Sequence, residues 1–310
     1  MPTYLSLMIA WFSAVLCIEV AIAEPLTNKE SPIAVIDLRE NLWNQGDNFS
    51  LAGQWDFVWQ QLLYEHAIPE DTRWLNTTVP GAWNQNDKNI SGKGYGTYRI
   101  RLLLPPHTNR YFLYLPDMAS AYQLWSNGQF IAGNGIVATE KTEETPAYGP
   151  EVLELTAKQG VIDLRILTSN YHYQWGGLWY APKITDTSGV FSLRELPYVT
   201  ASINVTLLIA TGLLSLLLFL LRSQDRMVFY FSMLCFTMGL RRLLIDERIL
   251  HTTNWFDWHT LQAFENITIY LALPLFLSYL RHLFPHEFGR RLSGLGWVIA
   301  LPLCVATLFL

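Results

Sequence analysis

The sequence predicts an all-β sandwich followed by an α-helical transmembrane bundle. Two observations lead to this fold class. Short segments in which apolar and polar residues alternate fill the chain up to about Thr187, and apolar segments of helix length follow. The first of these, residues 201–221, contains no charged residue and is long enough at helical rise to cross a hydrocarbon core. We therefore expect a folded head, residues 24–187, on one side of a membrane.

The composition restricts the partners of this head. Of the 310 residues, 51% are hydrophobic and 15% are charged, and the apolar excess lies in the last third. Residues 24–200 contain 19 acidic and 13 basic residues, so they lack the basic patch that nucleic acid requires. The three cysteines, Cys17, Cys235 and Cys304, lie in apolar segments, which excludes a disulfide framework and a cysteine-based zinc site. We expect no cofactor and no metal.

The amino terminus resembles an export signal. An apolar run ends in Ala21, Ile22 and Ala23, the small-x-small form of a signal-peptidase site, which predicts a signal peptide over residues 1–23. No Lys or Arg precedes the apolar run, so a retained membrane anchor is the alternative. Both interpretations export the head.

The sequence of the head predicts a series of short β-strands. In residues 97–104 the apolar side chains fall on one face, and residues 161–167 repeat the pattern. Asn127 and Gly128 form a dipeptide that tolerates the positive φ angles of a tight hairpin turn. The regular spacing of these strands predicts an antiparallel sandwich.

The rest of the chain divides into a linker and four apolar segments. The linker, residues 188–200, has room for a short helix. The predicted membrane helices are residues 201–221, 227–245, 267–284 and 292–310. If the head is outside, the inner connections hold five arginines and the outer one holds three, which agrees with the positive-inside rule. The sequence thus predicts a membrane protein with its head exported and its first and third connections in the cytoplasm.

Five motifs follow one another in the head: LAGQWDFVWQQLL from Leu51, VPGAW from Val79, GKGYGTYRI from Gly92, AYQLWSNGQ from Ala121 and SNYHYQWGG from Ser169. With the membrane segments behind them, they resemble the jelly-roll extracellular domain of bacterial seven-transmembrane receptors with diverse intracellular signalling modules (7TMR-DISM). The head also resembles, more distantly, the sugar-binding, galactose-binding-like jelly roll of family-2 glycoside hydrolases.

The resemblance to the receptors implies a location in the bacterial inner (cytoplasmic) membrane with the head in the periplasm. It also implies seven helices and a cytoplasmic output domain, such as a diguanylate cyclase, a histidine kinase or an adenylate cyclase. This chain contains four apolar segments, so we expect either a fragment of a longer gene product or a truncated gene. The bundle is incomplete on this interpretation. The family's signalling module would then be a cytoplasmic partner of the helices.

A ligand site is predicted in residues 170–179, which we call the aromatic cluster. Asn170 and His172 offer hydrogen-bonding groups, and Trp175 or Trp179 offers a plane for a carbohydrate-like ligand. The alternative is that the polar pair ties the loop to its own backbone and the tryptophans close the sandwich edge. Trp125 is either a second ligand platform or part of a core face.

Other residues are expected to have structural rather than ligand-binding roles. Trp55, Phe57 and Trp59 are predicted to lie in the core. A polar loop carries three acidic side chains that we expect to be solvated: Glu140, Glu143 and Glu144. His251 and His259 have no carboxylate at a metal-binding spacing, and the tryptophans around them suit anchoring at a membrane surface.

Four charges lie together at the end of the second apolar helix. Arg241, Arg242, Asp246 and Glu247 must reach water or pair with one another. They either terminate the helix or couple the head to the bundle.

The function that these observations predict is that of a membrane-bound sensory receptor that binds a carbohydrate-like or other small polar ligand. No catalytic motif occurs in the sequence, so we expect no enzyme. The alternative is a membrane-anchored carbohydrate-binding protein without signal output. A transporter is disfavoured because Gly/Pro-broken repeats are lacking. Membrane lipid is an expected partner, and a homodimer is an open alternative to a monomer.

Overall fold

The computed structural model describes residues 34–41, 43, 46–64, 68–69, 72–106, 108–118, 120–147, 149–222, 225–253 and 255–308. The predicted signal peptide, residues 1–23, lies outside them. The described residues form a β-sandwich head followed by long α-helices.

The strands of the head form two sheets. Their bounds are β1 Val35–Asp37, β2 Asn48–Ser50, β3 Gly53–Trp59, β4 Leu75–Val79, β5 Gly94–Leu103, β6 Arg110–Leu115, β7 Ala121–Ser126, β8 Gln129–Asn134, β9 Glu151–Thr156, β10 Val161–Asn170 and β11 Lys183–Thr185. One sheet has the order β4-β3-β5-β10-β7-β8, with β1 paired in parallel to β5, and the other has the order β2-β11-β6-β9. A short helix, α1 (Trp83–Asn86), lies between β4 and β5. The remaining strand pairs are antiparallel, so the predicted sandwich is confirmed.

The alternating residues of β5 and β10 build the core. Tyr98 and Ile100 on β5 and Ile162 and Leu164 on β10 are completely buried, as the period of two predicts. The predicted hairpin is also present. Asn127 (φ 49°) and Gly128 (φ 76°) both have positive φ between β7 and β8, which a tight turn between antiparallel strands requires.

Aromatic side chains fill the middle of the sandwich. Trp55 and Phe57 are fully buried on β3, and Trp59 is partly buried against the same core. Trp83 of α1 stacks on Phe57 with ring centroids 5.9 Å apart. Burial of each such side chain stabilises the head by about 1.5–3 kcal/mol.

The helical part contains four long helices within the described residues: α2 Val190–Leu221, α3 Arg226–Ile245, α4 Trp258–Leu283 and α5 Arg290–Thr307. By length and composition, α2, α3 and α4 are able to cross a membrane. The fourth predicted segment forms α5, which is not one of these three. Successive helices pack against each other.

The first helix starts earlier than predicted. It begins at Val190 rather than at residue 201, so most of the predicted linker, residues 188–200, is helical. Leu193 is buried, and the Ser192 hydroxyl donates to the Gly46 carbonyl at 3.2 Å. The uncharged run, residues 201–221, covers only the part of α2 that is apolar enough to contact lipid. Contacts with the head stabilise the additional turns at the amino-terminal end of the helix.

The helix α4 also starts earlier than predicted, at Trp258 rather than near residue 267. Asp257 caps it, because its carboxylate accepts hydrogen bonds from the backbone N–H of Thr260 at 3.3 Å and from the Thr260 hydroxyl at 2.5 Å. His259 and Glu265, which precede the predicted start of this helix, are therefore helical.

Polar side chains link neighbouring helices. The Ser232 hydroxyl on α3 donates to the Gly212 carbonyl on α2 at 2.8 Å. The Ser278 and Ser293 hydroxyl oxygens of α4 and α5 are 3.0 Å apart, and the Trp297 indole N–H donates to Ser278 at 3.0 Å. Small residues and hydroxyl groups of this kind are typical of helix contacts within membranes.

Candidate functional site

The aromatic cluster begins at the end of β10, where Asn170 is completely buried. Its amide N–H groups donate to the carbonyl oxygens of Gly92 at 2.7 Å and Tyr173 at 2.9 Å, and its amide oxygen accepts from the Tyr173 N–H at 2.9 Å. Gly92 has no room for a side chain, since a Cβ there would lie 1.8 Å from the Gln174 carbonyl oxygen. Asn170 therefore holds the turn of the cluster and joins it to the segment before β5.

A buried carboxylate lies beside the cluster. Glu144 accepts hydrogen bonds from the hydroxyl groups of Ser120 and Ser169, both at 2.7 Å, and from the Tyr171 N–H at 3.2 Å. The His172 Nε2 atom lies 3.5 Å from the same carboxylate. Burial lowers the pKa of His172, and the charge of Glu144 opposes this shift.

This position of Glu144 corrects the sequence analysis. Glu140 and Glu143 are exposed, as expected of a solvated loop, but the side chain of Glu144 is fully buried. The partners that bury it, Ser120 and Ser169, are distant in the sequence, so local polarity alone gave no signal for this position.

The cluster packs on the amino-terminal end of α4. The Tyr173 hydroxyl donates to the Gln262 side-chain oxygen at 2.7 Å. The ring of Trp258 lies 5.1 Å from that of His172 and 6.0 Å from that of Tyr173, and His259 lies 6.2 Å from His172. The predicted ligand segment is thus also a contact between the head and the helices.

The two tryptophans of the cluster differ in exposure. Trp175 is 44% exposed, whereas Trp179 is half-buried. The Trp179 indole N–H donates to the Trp175 carbonyl at 3.2 Å, and its ring meets Tyr173 edge-on at 5.3 Å. Trp175 therefore offers the accessible plane, and Trp179 supports the turn behind it.

Trp125 lies elsewhere on the head. It is half-buried on β7, opposite Arg165 of β10, and its ring contacts Phe130 at 5.7 Å and Tyr64 at 6.5 Å. These contacts are on the sheet rather than with the turn that follows Asn170. The structure does not bring Trp125 and the cluster together.

The predicted coupling residues lie at the end of α3. Arg242 forms a salt bridge with Asp246 at 3.0 Å, one turn away. Arg241 donates to the Glu265 carbonyl at 3.2 Å and the Thr268 hydroxyl at 3.4 Å, both on α4. Glu247 lines a cleft of about 370 Å³ against α2, together with Arg242 and Asp246.

A buried ionic link between head and helices is made by Arg248, which the sequence analysis did not single out. Its buried guanidinium donates to the carboxylate of Asp117 in the head, and its Nη1 lies 3.2 Å from a Glu265 carboxylate oxygen on α4. We call these three residues the Arg248 bridge. Burial raises the pKa of Asp117, and the charge of Arg248 opposes that rise.

The chemistry of these groups is that of binding and positioning. Within the described ranges, no three His, Cys, Asp or Glu side chains are grouped to hold a metal ion. The Glu144 carboxylate accepts hydrogen bonds from nearby hydroxyl groups of the head. The ion pairs of the Arg248 bridge join the head to α4. The arrangement joins the head to the helices.

The similarities to known proteins concern the head. No protein-family model matches the chain. A β-galactosidase of Pseudoalteromonas haloplanktis is 32% identical over a 124-residue alignment, which covers 31% of this chain and 12% of that protein. The head resembles part of a glycosidase. This agrees with the predicted likeness to a sugar-binding domain, while the chain spans only a small part of that relative.

Solved structures with weak similarity are glycosidases as well. A family-2 (GH2) β-galacturonidase of Eisenbergiella tayi has a TM-score of 0.35 at 14% identity, with 45% of this chain and 24% of that chain covered. A β-glucuronidase of Faecalibacterium prausnitzii has a TM-score of 0.37 at 15% identity, with 47% and 32% covered.

Proposed function

We propose that this chain is a membrane-bound sensory receptor of a bacterial signal-transduction system, of the 7TMR-DISM type. Its head, a jelly roll on the periplasmic side of the inner membrane, binds a carbohydrate-like or other small polar ligand. The helices pass the resulting change to a cytoplasmic signalling module. No catalytic step is assigned to the described residues.

The Arg248 bridge is the observation that carries this proposal. An anchored binding protein needs only a tether between its head and the membrane. Here Asp117 of the head, Arg248 after α3 and Glu265 of α4 form a buried ionic contact, which holds the head in one orientation. Breaking such a contact is costly, since it leaves a buried charge without a partner. A ligand that bound more tightly to an arrangement of head and helices without this contact would shift the equilibrium toward that arrangement.

The test follows hydrogen exchange in the full chain. The protein is reconstituted in nanodiscs, and sugars and small polar metabolites are screened for a rise in melting temperature. Backbone hydrogen exchange is then measured with and without the compound that gives the largest rise. A receptor is expected to change its exchange over residues 244–268 as well as in the head.

The control separates binding from coupling. Asp117→Asn removes one charge of the Arg248 bridge, so the ligand is expected to bind but no longer to alter exchange in residues 244–268. Asp37→Asn, in an exposed pair with Arg39, is expected to leave both effects intact. A ligand effect confined to residues 34–187 in the unmodified protein would instead identify an anchored carbohydrate-binding protein.

A further inference from the structure

Five arginines lie at the end of the helical part that is opposite the head. Two are at the end of a helix and three are in the first turn of the helix that follows: Arg222, Arg226, Arg281, Arg290 and Arg291. We call this group the basic end. The connections that contain it, residues 222–226 and 281–291, hold two acidic residues, Asp225 and Glu287, so positive charge is in excess.

Side-chain contacts hold these helix ends together. The rings of Phe219 on α2 and Phe229 on α3 have centroids 5.1 Å apart, and the ring of Tyr230 on α3 lies 5.1 Å from that of His282 on α4. A contact between hydroxyl groups joins α4 to α5 near the same end. The fold therefore gathers arginines from two separate connections on one surface.

The length of α3 places the basic end at the level of lipid headgroups. This helix has 20 residues and is about 30 Å long at helical rise, which equals the thickness of a hydrocarbon core. Arg226 is its first residue, and Arg222 follows directly after the uncharged run of α2. In a membrane that α3 crosses, these guanidinium groups lie beside the lipid phosphates of the surface away from the head.

The two ends of the helices differ in how their arginines are paired. At the head end, Arg242 pairs with Asp246, and the Arg248 bridge joins three charged side chains. Within the residues that the structure describes, the arginines of the basic end form no salt bridge and no side-chain hydrogen bond. Four of them are exposed and one is half-buried. They are therefore available to an anion from outside the chain.

The start of α5 adds to the positive potential of this surface. Arg290 and Arg291 begin the helix, its N-cap is Gly289, and its first turn contains no acidic residue. The N–H groups at the amino terminus of a helix carry partial positive charge, which repels these two side chains and attracts an anion. An anion bound by the two arginines would relieve this repulsion.

We propose that the basic end binds the phosphate group of an anionic phospholipid and prefers it to a zwitterionic phospholipid. A guanidinium group donates two parallel hydrogen bonds to phosphate oxygens, which gives arginine a geometric match to this group. A zwitterionic headgroup also carries a cationic nitrogen, which balances the phosphate charge and is repelled by a surface of arginines. This inference goes beyond the proposed receptor function and does not depend on it.

Three probes separate headgroup charge from the acyl chains. The full chain in neutral detergent micelles is titrated with short-chain phosphatidylglycerol, with short-chain phosphatidylcholine and with glycerol 3-phosphate. The two lipids share their acyl chains and differ in headgroup charge, and the third probe carries a phosphate without acyl chains. Apparent dissociation constants are measured by native mass spectrometry. Phosphatidylglycerol is expected to bind at least tenfold more tightly than either of the other probes.

Charge variants connect this preference to the arginines. Arg290→Gln combined with Arg291→Gln is expected to weaken phosphatidylglycerol binding by about tenfold to thirtyfold, the usual effect of removing two basic residues beside an anionic headgroup. Arg290→Lys combined with Arg291→Lys keeps the charge and is expected to retain most of the affinity. The matched control, Arg39→Gln combined with Arg110→Gln, removes two charges from exposed ion pairs of the head and is expected to bind as the unmodified protein does.

Equal binding of phosphatidylglycerol and phosphatidylcholine, or unchanged phosphatidylglycerol binding by the double glutamine variant at Arg290 and Arg291, overturns the inference. Glycerol 3-phosphate binding as tight as that of phosphatidylglycerol would overturn the lipid as the source of the phosphate. Melting curves show whether each variant is folded, and Arg222→Gln combined with Arg226→Gln replaces a glutamine variant that is not, with the same expected loss. None of these outcomes bears on the proposed function, which is tested by hydrogen exchange in residues 244–268.

Discussion

Arg248 illustrates how one side chain can fix the relation between two parts of a chain. Its guanidinium is buried between carboxylates that belong to the head and to α4. Planar geometry and several N–H donors make arginine suited to bridging two carboxylates, which the single ammonium group of lysine does less well. Together with the contacts between the aromatic cluster and α4, this residue after α3 therefore holds the head in its orientation.

We predict that Arg248→Met destabilises the protein by about 3–5 kcal/mol, because Asp117 and Glu265 then remain as buried charges without their cation. The measurement is urea unfolding of the reconstituted full chain, followed by circular dichroism. Arg39→Met, which removes an exposed ion pair, is the matched control and is expected to unfold as the unmodified protein does.

A triple variant identifies the cause of this loss. Arg248→Met combined with Asp117→Asn and Glu265→Gln removes all three charges, so most of the lost stability is expected to return. If Arg248→Met alone unfolded at the same urea concentration as Arg39→Met, the Arg248 bridge would be absent in solution.

Among the elements, the aromatic cluster combines a structural role with an exposed surface. Asn170 has no exposed side-chain surface and makes three hydrogen bonds with backbone groups, whereas Trp175 is 44% exposed. A substitution at Asn170 therefore tests the structural role of the cluster, and a substitution at Trp175 tests ligand binding.

We predict that Asn170→Ala destabilises the head by about 2–3 kcal/mol, because partly buried backbone groups of Gly92 and Tyr173 lose their partner. Trp175→Ala is expected to leave the melting temperature nearly unchanged. If the predicted ligand site is correct, the same variant no longer shows the rise in melting temperature that the ligand causes in the unmodified protein. Thermal melts of both variants, with and without ligand, provide the measurement.

An unchanged ligand response in Trp175→Ala would assign the aromatic cluster to architecture alone. Tyr180→Ala is a suitable control, because Tyr180 is also exposed but lies just beyond the cluster.

Local patterns in the sequence were sufficient to predict which segments form strands, turns and helices. The alternation of Tyr98 and Ile100 and the Asn127–Gly128 turn depend on adjacent residues, so a single sequence reveals them. The helix boundaries were less accurate, because hydropathy detects the part that suits lipid and not the turns that precede it. The capping residue Asp257 was a local signal for the start of α4 that the sequence analysis did not use.

On the scale of the whole molecule, contacts between distant segments escaped the sequence analysis. Asp117, Arg248 and Glu265 belong to three separate segments, and no pattern in one sequence indicates that they meet. Glu144 is similar, since its buried position depends on Ser120 and Ser169. The charges at the end of α3 were noticed, yet the residue that reaches the head lies one position beyond Glu247.

The orientation in the membrane remains a prediction, with residues 24–200 in the periplasm and residues 281–291 in the cytoplasm. The arginines of the predicted inner connections support it. Fusions to a reporter enzyme that is active only after export test it when placed after Pro197 and after Phe288. Activity is expected at the first position and not at the second, and the reverse pattern would contradict this topology.

The first helix, α2, continues through Pro197 and has the length of a lever. Its 32 residues span about 48 Å at helical rise, from a buried contact on the head to Leu221. A tilt of the head by about 5° would displace the far end of a rigid rod of this length by roughly 4 Å. A rearrangement too small to alter the shape of the sandwich would thus become, at the far end of α2, a movement as large as the distance between successive Cα atoms.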